Sequence, residues 1–407
     1  MTATATATAR ERRAIWLAAW PVTAVMMLPT AATPLFVLWQ ERLGFSAGVI
    51  TIVYACYIAG LLGALPVAGA LSDRIGRRAV LLPVLALGVA ACAIFATATS
   101  VAALAVARLL TGVAVGTVLS TGTAAVADLG GTSAPRRRLA ALLASTAVVV
   151  GAGSGPLVSG VLSERLPGPT VVFFLLEAAL LITAFVTVLR LPLRKPAGSV
   201  ERRAVRLPSV PADNRGQLLA GIAVFAPGIT ATGFVLALGP SLLSDLVGTD
   251  SRIVSGAMVF VMFAAATGAQ FAMRGARVRA VLATGAVATV LSMATLIVAV
   301  RTSSAVLLVA AAILAGPGQG LGQLGGLSLL SARVPGHRLA EANAALSAAG
   351  YLPAGLLPVA AGFLSDEIGL ANGATVFGTA MILAALAGGA FVLMRPGAAR
   401  GARDGGW

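Results

Sequence analysis

Two ionisable side chains, Arg108 and Glu177, stand inside uncharged runs long enough to cross a lipid bilayer. An arginine at that depth costs ~2.5 to 3.5 kcal/mol on insertion scales, so it is expected to face a polar interior and a partner. The first apolar run, Ala14 to Gln40, contains neither Asp nor Glu, and Glu177 is the only carboxylate deep inside a predicted span. Each residue lies about eight positions from the same end of its span, a depth near 12 Å at ~1.5 Å per residue, so the two are candidates for neighbours. The chemistry open to such a pair is proton transfer. Glu177 would take and release a proton while Arg108 biases its pKa, since burial raises a carboxylate's pKa and a guanidinium lowers it. A static ion pair, or a glutamate near the interface, is the alternative.

Other polar residues at membrane depth are candidates for binding a small molecule. Gln319 and Gln323 are one helical turn apart, and with Tyr351, Thr230 and Thr33 they can line a cavity. Met26, Met27 and Phe234 would make the rest of that cavity apolar, which suits amphipathic organic compounds better than sugars. Glutamines in a bilayer also serve simply to hydrogen-bond helices together. Several chemistries are excluded. The single lysine, Lys195, precedes Pro196, so no GxxxxGK[ST] phosphate loop exists, and the single histidine, His337, rules out an HExxH zinc site. No catalytic residue, metal ligand or cofactor is expected, and the chain reads as a non-enzyme.

These residues are positioned by helices in lipid. The chain has 407 residues, 58% of them hydrophobic, and a mean hydropathy of +0.96, with the apolar content spread evenly. A bilayer crossing needs about 20 mostly apolar residues, and every backbone amide must be satisfied internally, so runs of this length predict helices and not barrel strands. The expected fold class is an all-α integral membrane protein with twelve spans near 14–39, 47–71, 79–98, 101–126, 139–162, 170–189, 217–243, 253–273, 280–300, 303–330, 340–364 and 370–394. The apolar run after the polar tail MTATATATARERR exceeds a signal-peptide core of ~7 to 15 residues and is expected to stay as the first span. Cys56 and Cys92 both fall inside spans, which argues against a structural disulfide.

The formal charge of +15 comes from clusters between apolar runs without interleaved aromatic residues, which argues against nucleic-acid binding. Of the 29 basic residues, 24 lie in the two tails and alternate loops, four in the remaining loops (Arg42, Arg165, Arg252, Arg301), and Arg108 within a span. The asymmetry places both termini in the cytoplasm. Residues 1–13 form a cytoplasmic tail, 14–189 and 217–394 two six-helix bundles, 190–216 a Pro- and Arg-rich linker and 395–407 a second tail. A shift of 204 lays Leu104, Gly112 and Gly116 over Leu308, Gly316 and Gly320; a shift of 202 lays Pro156 and Gly160 over Pro358 and Gly362. Parallel halves of this kind are expected of a transporter with its site between them.

The turn between the second and third spans reads GALSDRIGRRAVLL. Its Gly69, Leu71, Asp73, Arg74, Gly76, Arg77 and Arg78 complete a GxLxDRxGRR signature, and in this the chain resembles the major facilitator superfamily over all but its tails. The resemblance implies that Asp73 faces the positive end of span eleven and closes the cytoplasmic side, an interaction worth ~0.3 to 1 kcal/mol and up to ~2 when partly buried. It further implies that Asp128 engages the loop arginines. A plain solvated loop charge is the other reading of Asp73. In the second half Arg274 takes the aspartate's place, so any such gate is asymmetric.

Gly151, Gly155, Pro156 and Gly160 in span five resemble the gxxxGPxxGG pattern of drug-exporting branches, with Ser159 replacing one glycine. Their chemistry by itself says only that the helix packs tightly and bends. Leu104, Arg108, Gly112 and Gly116 resemble a third signature, LxxxRxxxGxxxG, whose arginine is implicated in proton coupling in related antiporters. The resemblance thus implies a functional monomer in the plasma membrane, exporting small drug-like or natural-product-like compounds against protons and conferring multidrug resistance. A proton symporter importing a metabolite, or a receptor or scaffold that kept the fold, are the alternatives.

Overall fold

The computed structural model describes residues 2–193, 210–248, 251–335 and 338–394, with the side chains of 2–10, 246, 247 and 340 excepted. Lys195, His337, most of the expected linker and the C-terminal tail lie outside the described residues. Among the described residues, twelve helices are long and apolar enough to cross a membrane: α1 Glu11–Leu43, α2 Ala47–Ile75, α3 Arg77–Ala96, α4 Val101–Leu129, α5 Ala134–Arg165, α6 Val172–Arg190, α7 Ala212–Asp245, α8 Arg252–Met273, α9 Val278–Thr302, α10 Ala305–Arg333, α11 Glu341–Ile368 and α12 Leu370–Met394. Among the described residues there is no strand. The expected all-α fold with twelve spans is the fold observed. Large apolar side chains such as Leu175, Val306, Leu356 and Leu383 stand exposed, the solution a hydrocarbon solvent permits and water would penalise.

Two spans are less regular than their hydrophobic runs imply. In α1 the α-helix stops at Ala31 and resumes at Phe36 after a 3-10 turn, Thr33–Leu35, with Pro29 and Pro34 bracketing the break. In α4 a π-turn, Val118–Gly122, separates two α-helical stretches.

The described residues divide into two compact units with boundaries at Leu35/Phe36, Ala55/Cys56 and Val205/Arg206. The last boundary falls in the region between the sixth and seventh spans. The first two detach the end of α1 and the opening turns of α2, Phe36–Ala55, and join them to the second unit.

Each unit repeats the same devices, at or within a few residues of the offset read from the sequence. In the first, α4 lies on α2 so closely that a Cβ on Gly112 would sit 2.1 Å from the Tyr57 carbonyl oxygen, and one on Gly116 2.5 Å from that of Leu61. In the second, α10 lies on α8 in the same way: a Cβ on Gly316 would sit 2.1 Å from the Met262 oxygen and one on Gly320 2.8 Å from that of Ala266. Ser100 and Ser304, 204 positions apart, cap α4 and α10 by accepting from the Ala103 and Leu307 amides. Arg78 at the start of α3 donates to the Leu189 and Leu191 carbonyls at the end of α6, both at 2.7 Å, and Arg279 at the start of α9 donates to Leu393 at the end of α12. A cation at a helix C-terminus satisfies carbonyls that have no intrahelical donor.

Candidate functional site

Arg108 lies on α4 and is completely buried. Its guanidinium donates from Nη1 to the Pro29 carbonyl, in the last turn of the α1 stretch that stops at Ala31. A carbonyl there has lost its place in the helical ladder, and the negative end of the helix favours a cation. The helix break in α1 therefore supplies what span one lacks as a side-chain acid. The same guanidinium lies 6.0 Å from the Phe95 ring centroid, and Phe95 stacks on Phe174 at 4.7 Å.

Glu177 follows one turn after Phe173 and Phe174 on α6 and is also completely buried. Neither of its carboxyl oxygens has a hydrogen-bond partner among the described residues. The two charged residues are not ion-paired: Arg108 turns to a backbone carbonyl and to Phe95. The alternative of a static ion pair does not match this geometry.

The turn after α2 is organised around Arg77. It donates from Nη1 to Asp73 Oδ1 at 2.5 Å and to Ser72 Oγ at 2.5 Å, and from Nε to Asp128 Oδ2 at 3.2 Å. Asp128, at the far end of α4, thus meets a loop arginine. Both acids are about half exposed, so these pairs are worth no more than ~1 kcal/mol each, and they fix geometry more than stability. Gly76 has φ 96°, which a residue with a Cβ adopts only under strain, and this accounts for a glycine at that place in the signature. Gly69 has no such need: a Cβ there would meet only Ser120 Cβ, at 3.8 Å. Arg74 is exposed, and Arg78 holds α6 as described above.

The α5 signature is a contact with α1. A Cβ on Gly151 would lie 2.5 Å from the Thr23 carbonyl oxygen and one on Gly155 2.1 Å from that of Met27. Thr30 donates to the Ala152 carbonyl at 2.8 Å, and Ser159 donates to the Ala31 carbonyl at 2.7 Å. Ser159, the departure from the glycine pattern, ties α5 to the break in α1. Pro156 and Gly160 are buried in the same helix.

Of the five expected binding residues, Thr33 lies buried in the α1 break in the first unit, and Thr230, Gln319, Gln323 and Tyr351 belong to the second. There α7, α10 and α11 meet around Phe225: its ring abuts Gly350, its Cα abuts Gly322, and Tyr351 sets its own ring edge-on at 6.3 Å. The backbone at Gly228 touches Gly318 and Gln319, which brings Thr230 and Gln319 onto adjoining helix turns. Gln323 is one turn further along α10 and partly buried. Among the described residues, Thr230 Oγ1 and Gln319 Oε1 are buried without a hydrogen-bond partner, and so are Gln217 Oε1 on α7 and Asn343 Oδ1 on α11. Two other glutamines do bind helices together: Gln270 donates to the Gly320 carbonyl at 2.9 Å, and Gln40 accepts from the Ser241 hydroxyl at 3.3 Å.

Gln217 and Asn343 carry no distinguishing signal in the sequence, since each sits near a span end where amides are common. Phe234 is fully buried with its ring stacked 4.2 Å from Phe377, and Met26 and Met27 are buried where the α1 backbone meets Gly151 and Gly155.

The sequence profile of the Major Facilitator Superfamily matches residues 15–278, which hold both the Arg77 turn and the α5 signature. The chain belongs to the major facilitator superfamily. This is a multi-pass membrane transporter family, and the chain is a transporter, not an enzyme. No curated protein matches it by sequence. Solved structures share its fold at low identity. A mutant of the nucleoside transporter NupG superposes with TM-score 0.73 at 14% identity, covering 93% of this chain and 99% of that one. A mutant of the peptide transporter POT gives 0.75 at 15%, covering 94% of each. A bacterial homologue of the human lysosomal transporter Spinster, in an inward-facing and unoccupied conformation, gives 0.72 at 15%, covering 94% and 96%. Within the superfamily, this chain places its membrane-embedded arginine on a backbone carbonyl of α1 and leaves a carboxyl on α6 buried without a partner.

Proposed function

We propose that this transporter exports small amphipathic organic compounds in exchange for protons, its two halves alternating access to one central site. The observation that carries the reading is Glu177, fully buried with both carboxyl oxygens lacking hydrogen-bond partners. An isolated carboxylate in such a place costs far more than a purely structural residue can return. Glu177 would bind the coupling proton on one side of the membrane and lose it on the other, with Arg108 as the neighbouring fixed charge. Asp73, Arg77 and Asp128 form the clasp of the arginine-rich side, which the charge asymmetry assigns to the cytoplasm. The unpartnered Gln319 amide oxygen accepts and the Thr230 hydroxyl both accepts and donates, which suits an amphipathic molecule bearing N–H or O–H donors.

The direction rests on the α5 pattern around Gly155 and Pro156. Import by proton symport is the second reading. It is favoured by the absence of any acid in α1 between Ala14 and Gln40 and by neighbours named as nucleoside and peptide transporters.

Inverted vesicles energised by respiration, with a dye reporting the pH gradient, separate the two. An exported compound added outside collapses the gradient in the wild type. The Glu177→Gln variant abolishes that proton flux while retaining counterflow of labelled compound. Wild-type proton flux in Glu177→Gln would remove the coupling assignment, and a panel that never collapses the gradient would remove export.

A further inference from the structure

The opening turn of α2 carries a second acidic contact, at the opposite membrane face from the Asp73 turn because α2 runs between them. Asp366, in the last turn of α11, accepts the Ala47 amide on Oδ1 and the Gly48 amide on Oδ2, each at 3.0 Å. A carboxylate from one helix thus caps the positive end of another, two charge-assisted bonds made in parallel. The helices touch beneath it. A Cβ on Gly48 would stand 2.7 Å from Asp366 Oδ2 and 2.8 Å from the Phe363 ring, and one on Gly362 2.5 Å from Thr51 Oγ1.

Two independent observations show that this is more than a local cap. First, α2 is divided: its turns up to Ala55 belong with α11 in the second unit, while from Cys56 onward it belongs with the first, where Tyr57 and Leu61 lie under the α4 glycines. Second, the residues of the Asp73 turn recur. Leu71-Ser72-Asp73-Arg74-Ile75-Gly76 closes α2, and Leu364-Ser365-Asp366-Glu367-Ile368-Gly369 closes α11. Gly76 and Gly369 even share their backbone conformation, with φ, ψ of 96°, 152° and 86°, 152°.

We propose that Asp366 is a releasable latch at the membrane face opposite the Asp73 turn, holding the start of α2 on α11 in this state and letting go when those opening turns leave α11 to move with the rest of α2. This deepens the alternating-access reading and rests on it. A carboxylate on bare amides suits the task, since water satisfies both partners once they separate, so the contact can break and re-form without leaving a buried orphan. The glycine crossing below provides the seal. Asp366 provides the bias.

The test uses the full chain in membranes, in a Cys56→Ala, Cys92→Ala background, with Thr51→Cys as reporter, because Thr51 is completely buried beneath Gly362. A membrane-impermeant maleimide is applied from the Asp366 face. Asp366→Asn keeps the shape and loses the charge, and it raises the labelling rate of residue 51 about tenfold. Gly48→Leu, which must wedge the helices apart, raises it as a positive control. A second reporter, Thr111→Cys, buried in the first unit, stays unreactive in Asp366→Asn. If Gly48→Leu exposes residue 51 and Asp366→Asn does not, the carboxylate is no latch. If residue 111 becomes reactive in parallel, the variant has loosened the whole fold and the proposal is overturned. Asp73→Asn belongs to the alternating reading and is expected to lower labelling at residue 51. Its silence would remove the Asp73 clasp while leaving the Asp366 result standing.

Discussion

Replacing Gly112 by alanine tests the packing on which the whole helical arrangement depends. The added methyl would stand 2.1 Å from the Tyr57 carbonyl oxygen, where ordinary contact begins at 3.4 Å, so α4 must retreat from α2 by about 1.3 Å. That retreat also opens the neighbouring close approaches, where a Cβ on Gly60 would stand 2.3 Å from the Leu109 oxygen and one on Gly116 2.5 Å from the Leu61 oxygen. A gap of ~0.5 to 1 Å already forfeits a quarter to a half of a dispersion contact. Overpacking of this kind costs ~1 to 3 kcal/mol, more than the ~0.5 to 1 kcal/mol by which alanine outperforms glycine inside a helix. The unfolding midpoint in detergent, followed by tryptophan fluorescence, is expected to fall by ~1 to 3 °C. Gly316→Ala should match it, because its methyl meets the Met262 oxygen at the same 2.1 Å. The controls lie on the partner helices. A methyl added at Gly63 on α2 or Gly268 on α8 would meet no atom within 4 Å, so these alanine variants are expected to hold or raise the midpoint. If Gly112→Ala and Gly63→Ala unfold at the same temperature, close glycine packing does not hold α4 in place, and the reasoning fails.

Arg108→Met leaves the Pro29 carbonyl without its buried donor and is expected to cost ~1 to 3 kcal/mol, seen as a lower unfolding midpoint. Arg108→Lys should recover only part of that loss, because an ammonium cannot lay a planar face toward Phe95. Gly76→Ala forces a side chain into φ 96° and is expected to destabilise by ~1 to 3 kcal/mol in the same assay, with Gly369→Ala, at φ 86°, behaving alike; a neutral result would show that these turns relax freely.

The span count, the all-α class and the repeat offset were legible in the chain because hydrocarbon imposes a strict demand. A segment crosses only if about 20 successive residues are apolar and its backbone bonds are internal, and that demand is written in residue types. The glycines at 112, 116, 316 and 320 were legible as a spacing for the same reason, since only a missing side chain lets backbones meet. Their meaning was not, because Gly63 and Gly112 are the same residue, one facing open space and the other a carbonyl.

The partners of the charges were decided only by the tertiary structure. Arg108 was expected beside Glu177 and is bonded to the Pro29 carbonyl; Asp366 drew no notice in the sequence and binds the Ala47 and Gly48 amides. In both cases the partner is a backbone group, which nearly every residue carries. Whether it is free depends on where a helix breaks or begins and on which neighbour reaches that point. Residue letters report side chains, and only folding reveals which amides and carbonyls are left over.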